Sequence, residues 1–144
     1  MGSEILLGLN EIVKVRIVDF LRADRPFVHA DRILDFNVFI YIVAGGMRIW
    51  ECGTEYVIGE KDAFFLKKGL HHYGRHEIPA GTTWYYIHFH GGADDENVRM
   101  LSGYRPVSAS WEFTEEEYDQ YIRLPKLLKV ENPKLVERKL AALT

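Results

Sequence analysis

The sequence predicts an all-β sandwich or barrel followed by helical elements at its C-terminal end. Three observations carry that expectation. Short apolar or alternating runs recur between residues 12 and 90, and most are separated by a Gly- or Asp-containing turn, the spacing of an antiparallel β domain. Aromatic residues make up 13% of the chain, and rings suit a pleated, half-buried surface. Asn132-Pro133 then opens a different pattern, a cap residue followed by proline at the first helical position. A chain of 144 residues fits one domain with a sizeable core. The expected division is a barrel with an N-terminal arm over residues 1–131 and the start of a helix over 132–144.

Residues 1–10 mix Ile5, Leu6, Leu7 and Leu9 with Gly8 and Asn10, a tail with one edge tucked onto the barrel. Ile12 to Leu21 alternates as a strand, with Val13, Val15 and Ile17 set against Lys14, Arg16 and Val18. Ala23 to Pro26 is a turn, Phe27 to His29 is extended, and Arg32 to Asp35 is a connection. Phe36 to Val43 is nearly all apolar, as expected of a strand covered on both faces. Ala44-Gly45-Gly46 is predicted to be a hairpin turn. Met47–Cys52 and Glu55–Ile58 form the next pair, joined through Gly53.

Gly59 to Asp62 has turn chemistry, Ala63 to Leu66 suits a buried strand, and Lys68-Gly69 turns the chain again. In Trp84 to His90, strand periodicity puts Trp84, Tyr86, His88 and His90 on one face and Tyr85, Ile87 and Phe89 on the other. The first of these faces carries rings with polar tips, which suits a small polar ligand. Gly91 to Arg105 is loop-like, with a short helix at Asp95 to Leu101; Thr114 and Glu117 make a capping box. Tyr121 to Val130, interrupted by Pro125, is expected as an edge strand. The final helix carries Leu135, Val136, Leu140 and Leu143, with Lys139, along one stripe. No stop signal precedes Thr144, so this helix is expected to run on into a further segment.

Charge and composition narrow the function. A net charge of −3 and a pI near 6.1 argue against this chain gripping nucleic acid, which needs a basic footprint. One cysteine, Cys52, permits no internal disulfide, so a reducing, cytoplasmic setting is expected. No apolar run approaches the ~20 residues of a membrane span, and no signal-peptide pattern opens the chain. Cys52 has no evident base partner and reads as a small apolar residue. Ser102, Ser108 and Ser110 lack a nucleophile-elbow context. The acidic runs Asp94–Glu96 and Glu115–Glu117 read as solvated faces. His71, His72, His76, His88 and His90 are of a type that holds metals.

A Gly-Asp-type turn, an apolar strand, a Gly turn and a histidine resemble the second sequence motif of cupin barrels. More narrowly, the pattern resembles the ligand-binding domain of AraC-type transcription regulators. Tyr41-Ile42-Val43-Ala44-Gly45-Gly46, Asp62, Gly69 to His72, and Trp84 to Phe89 fill that family's places, with His71 to His76 close to its corresponding run. The likeness runs over residues 27–90; Lys68 stands where proline is usual, and Lys61-Asp62 where Gly-Asp is common.

The resemblance implies a cupin-like double-stranded β-helix, a jelly-roll barrel, that binds a small-molecule effector and forms a homodimer. It places Tyr73, Trp84 and Tyr86 at pocket positions. His29 falls where a pocket arginine is usual, with Arg32 three residues on, and His72 and His88 are expected as neutral histidines in or near the pocket. Aromatic faces and a few polar groups suit a sugar-like effector. The N-terminal arm is a candidate lid, and Leu135, Val136, Leu140 and Leu143 a dimer contact. DNA is expected to be reached only through a C-terminal helix-turn-helix domain that this chain does not include.

Cupin enzymes use an early His-x-His with Glu and a later His, whereas Asp35 to Ile42 holds no histidine. No metal or other cofactor is therefore expected. The alternatives are a small metal-dependent cupin enzyme, an isomerase or dioxygenase, and a barrel kept only for dimerisation.

Overall fold

The computed structural model describes residues 5–8, 12–91 and 121–144. The expected helix at Asp95 to Leu101, the capping box at Thr114 and Glu117 and most of the Gly91 to Arg105 loop lie outside them.

The strands form where alternation and β-branched or aromatic content predict. They are β1 (Ile5–Gly8), β2 (Lys14–Arg22), β3 (Phe27–Val28), β4 (Arg32–Ile33), β5 (Asn37–Ala44), β6 (Met47–Glu51) and β7 (Thr54–Ile58). Then come β8 (Asp62–Leu66), β9 (His71–Tyr73), β10 (Glu77–Ile78), β11 (Thr83–His90), β12 (Tyr121–Leu124) and β13 (Leu127–Lys129), and last the helix α1 (Pro133–Leu143). One antiparallel sheet runs β13-β8-β5-β11-β2, and a second runs β4-β9-β6-β7, with the short ladders β10-β3 and β1-β12 beside them. The architecture is a jelly-roll sandwich. Its core draws Val38, Ile40, Ile42, Phe64 and Leu66 from the first sheet and Met47, Ile49 and Ile58 from the second.

Cys52 (φ +48°) and Gly53 (φ +83°) form the two-residue connection of the β6–β7 hairpin, with the double positive φ of a type I′ turn. Cys52 is exposed there, so it does not serve as a small core residue. Gly45-Gly46, in contrast, is not a hairpin turn. The edges of β5 are already taken by β8 and β11, so the chain crosses to the second sheet instead. Gly45 takes φ +83°, and a Cβ there would sit 2.5 Å from the Thr82 hydroxyl oxygen.

Two more expectations are corrected. Arg32-Ile33 is a short strand paired with His72 and His71 rather than a bare connection. The run from Tyr121 to Val130 is two strands, not one, because β12 pairs with β1 while β13 pairs with β8. Between them, Lys126 turns inward to a buried ion pair with Glu51, at 2.6 Å. Of the N-terminal segment the described residues are β1, which pairs with β12 and buries Ile5 fully.

The two departures from the family pattern have local reasons. Lys61 takes φ +65°, a left-handed conformation that glycine adopts without cost. Its ammonium reaches Glu137 on α1 at 3.1 Å. The Lys68 amide donates to Asn37 Oδ1 at 2.9 Å, a bond that proline lacks the N–H to make.

Asn132 caps α1, its Oδ1 accepting from the Leu135 amide at 3.4 Å, with Pro133 at the first helical turn. Glu137 also accepts from the Tyr41 hydroxyl at 3.3 Å. Leu140 is buried within the single chain, while Leu135 and Leu143 are exposed. No described helix is long and apolar enough to cross a membrane.

Gly45→Ala is expected to lower unfolding stability by more than about 1 kcal/mol, since a side chain meets both positive φ and a close neighbour. Gly53 shares its φ of +83° but has nothing within 4 Å of a built Cβ, so Gly53→Ala should cost less in urea denaturation. Equal losses would show that the Gly45–Thr82 approach relaxes freely.

Candidate functional site

β11 is held on both edges. Trp84, Tyr86 and His88 sit opposite Ile42, Ile40 and Val38 of β5, and opposite Leu21, Asp19 and Ile17 of β2. Directly opposed residues share a face, so one side of this three-strand strip presents Trp84, Tyr86, His88, Val38, Ile40 and Leu21 to the space between the sheets. Phe27 of β3, His29 and Ala30 beyond it, Arg32 of β4 and Met47 of β6 complete the lining of a cavity of about 260 Å³.

His29 is brought there by a close backbone approach. The Gly74 amide donates to the His29 carbonyl at 3.2 Å. A Cβ on Gly74 would lie 2.8 Å from the His29 nitrogen and 3.0 Å from its Cβ. Only glycine fits against the chain at this point.

Arg32 stands on a strand paired with β9, and its Nε donates to His72 Nε2 at 3.1 Å. His72 is 1% exposed. An imidazole that accepts at Nε2 while uncharged carries its proton on Nδ1. That Nδ1 is buried without a hydrogen-bond partner among the described residues. The His29 and His72 rings meet edge-on with centroids 5.3 Å apart.

Burial is the dominant influence on these titrations. It pulls His72 down to about 4, helped by the nearby charges of His29, Arg32, Lys126 and His71. His29 is lowered by burial and by Arg32, partly offset by its bond to the Ala30 carbonyl. His88 is lowered by burial, then by Arg32 and Arg16. Tyr86 is raised by burial and by Asp19, which accepts its hydroxyl proton in a hydrogen bond. At neutral pH the lining histidines are thus uncharged. Among the described residues, the lining holds one permanent charge, Arg32, and no Asp or Glu.

Of the residues expected at the pocket, His29, Arg32, Trp84, Tyr86 and His88 line the cavity. His72 lies behind them, bonded to Arg32. Tyr73 does not line it. Strand alternation turns Tyr73 to the opposite face of β9 from His72, where it stacks on Trp50 with Arg75 over its ring. His71 shares that outer side, bonded to Asp31 at 2.6 Å, and His76 packs on Trp50. The histidines are therefore spread over both faces of the sheet. Among the described residues no three His, Cys, Asp or Glu side chains are placed to hold a metal.

Sequence reasoning missed Leu21, Phe27, Ala30, Val38, Ile40 and Met47 as lining residues. Each read as ordinary core or turn-flanking sequence. Which part of an apolar face borders a cavity is settled by how two sheets meet. Phe27 also stacks on Trp84, with centroids 5.8 Å apart, and so covers part of the ring expected to face a ligand.

A family model described as the AraC-like ligand binding domain matches residues 18–135. The chain belongs to this family. The match covers every residue found to line the cavity. No curated protein sequence matches the chain. Among solved structures, the AraC-like domain is similar to an RmlC-like cupin from Shewanella frigidimarina, at 17% identity, covering 65% of this chain and 78% of that one, with a TM-score of 0.45. A Rhizobium leguminosarum protein of unknown function matches at 12% identity over 62% of this chain and 84% of that one, with a TM-score of 0.45. Oxalate decarboxylase from Bacillus subtilis matches at 17% identity over 62% of this chain but only 24% of its own, with a TM-score of 0.44.

The histidines tie stability to acid. His72 unfolds from a site where its pKa is about 4 to its usual 6.5. Between those values the unfolded chain holds a proton that the folded one does not. Stability therefore falls as pH falls through this window, by about 1.4 kcal/mol per pH unit per proton at most. Urea unfolding of His72→Gln is expected to show a shallower decline from pH 6.5 to 5 than the parent. An unchanged slope would remove His72 from the acid response.

Proposed function

We propose that this chain is the effector-sensing part of an AraC-type regulator and that the cavity between its two sheets is the effector site. The observation that carries this reading is one chamber in a ligand-binding family member, with ring and aliphatic walls and a polar group of His29, Arg32, Tyr86 and His88. Small-molecule sites have this composition, apolar walls with a few placed polar groups that fix orientation. A sugar-like effector was expected from the rings with polar tips. The added walls of Leu21, Phe27, Val38, Ile40 and Met47 favour instead a molecule with one polar end and an apolar body.

In this reading the protein works in the cytoplasm, consistent with its exposed single thiol. It pairs through the free part of the α1 stripe. Leu140 is occupied within the chain, which leaves Leu135 and Leu143 with Val136 for a second copy. DNA contact belongs to a helix-turn-helix segment following α1. The regulatory reading also differs from that of a cupin enzyme in asking no bond chemistry of the pocket.

Two measurements test it. A thermal-shift screen across sugars, sugar phosphates, small carboxylates and amides should yield a ligand that raises the melting temperature and changes tryptophan fluorescence. Trp84→Ala with Tyr86→Ala should abolish that binding while circular dichroism stays native; full affinity in the double variant would move the site elsewhere. For assembly, Leu143→Asp should shift sedimentation toward monomer at ~100 μM, a concentration that samples weak association. An unaltered dimer would take the α1 stripe out of the interface.

A further inference from the structure

Arg32 lines a chamber whose other walls are largely apolar, and its partner is an imidazole rather than a carboxylate. The nearby acids are otherwise engaged. Asp31 is held by His71 and Asp35 lies 3.7 Å from Arg16. Asp19 accepts from the Tyr86 hydroxyl. Among the described residues no ion pair involves Arg32, and only its Nε is hydrogen-bonded, leaving the two terminal nitrogens of the fork open. A guanidinium with no counter-charge among the described residues and an open fork suits an anion with two oxygens in one plane.

We propose that the effector is a small organic carboxylate with an apolar body. This rests on the sensing role argued above and adds the chemical class of the ligand. The carboxylate meets the open edge of the Arg32 guanidinium, a planar fork matched to two oxygens. The body lies along Leu21, Phe27, Val38, Ile40 and Trp84. The Arg32–His72 bond holds the fork in place from behind, so His72 is a positioning residue. A cavity of about 260 Å³ holds on the order of nine water-sized groups at ~30 Å³ each. That fits acids the size of hexanoate, benzoate or 3-phenylpropionate.

The test is calorimetric titration of the whole chain with these three acids, with their primary amides as uncharged counterparts, and with D-xylose and D-glucose. At least one acid is expected to bind about tenfold or more tightly than its amide. Arg32→Gln should remove that preference, lowering acid affinity about tenfold or more and leaving the amide unchanged, while Arg32→Lys retains part of it because charge remains without the fork. Native circular dichroism of both variants separates lost binding from lost fold. Equal affinity for acid and amide, or binding of the sugars alone, overturns the carboxylate assignment and leaves the sensing role standing. If none of these compounds binds with a signal that depends on Trp84, the carboxylate assignment falls, while hits from the wider screen would still uphold the sensing role. Silence in both removes the two together.

Discussion

The register of β11 between β5 and β2 is the constraint on which the rest of the site depends. Side chains alternate along a strand, so a slip of one residue would exchange the two faces. The inner face would then receive Tyr85, Ile87 and Phe89 in place of Trp84, Tyr86 and His88. Both faces are committed against that slip. Outside, Tyr85 packs on Phe20 at 4.7 Å and Phe89 on Phe65 at 6.3 Å. Inside, Trp84 stacks on Phe27 and His88 lies 4.6 Å from Phe36. Ring pairs of this kind add about 0.5–1.5 kcal/mol each beyond the area they bury, and they add it only in the observed register.

β5 carries the consequence to the far side of the sheet. Val38 and Ile40 border the cavity, while Tyr41, next in sequence, faces away and donates to Glu137 of α1. Burial and the Glu137 carboxylate together push the Tyr41 hydroxyl up to about 12, so it stays a donor at any physiological pH. One strand thus touches both the chamber and the helix on which assembly is proposed to depend. The Lys126–Glu51 pair ties the segment before α1 to β6 in the second sheet, with Glu51 also accepting from the Lys67 amide. A buried pair of this kind contributes little net stability when intact, but losing one partner strands the other charge at a cost of about 3–5 kcal/mol.

At the polar end of the chamber, desolvation outweighs attraction. His29, His72 and His88 are all depressed with burial as the leading cause, and the adjacent positive charges act in the same direction. Among the described residues, neutral imidazoles around one guanidinium leave this end with a positive balance that no lining carboxylate cancels.

Much of this was legible in the residues. The β11 alternation named Trp84, Tyr86 and His88 as one face because a period of two survives any packing arrangement. The same period, applied to His71-His72-Tyr73, allowed only one of each adjacent pair inward. Which one it was depended on β9 pairing with Arg32 and Glu51, contacts 40 and 21 residues distant in sequence, and that placed Tyr73 outside. Gly45-Gly46 announced a turn but not its destination, because a glycine pair serves a hairpin and a sheet crossing equally well.

The sequence by itself determined the β class, the capped start of α1 at Asn132 and the two faces of β11. These follow from local backbone preference and short-range periodicity, which each segment carries alone. Only the tertiary structure decided that Phe27, Met47 and Leu21 wall a chamber, that Gly74 seats His29, and that Arg32 meets an imidazole. Those facts depend on where two sheets separate and on which strands become neighbours, and no single segment encodes either.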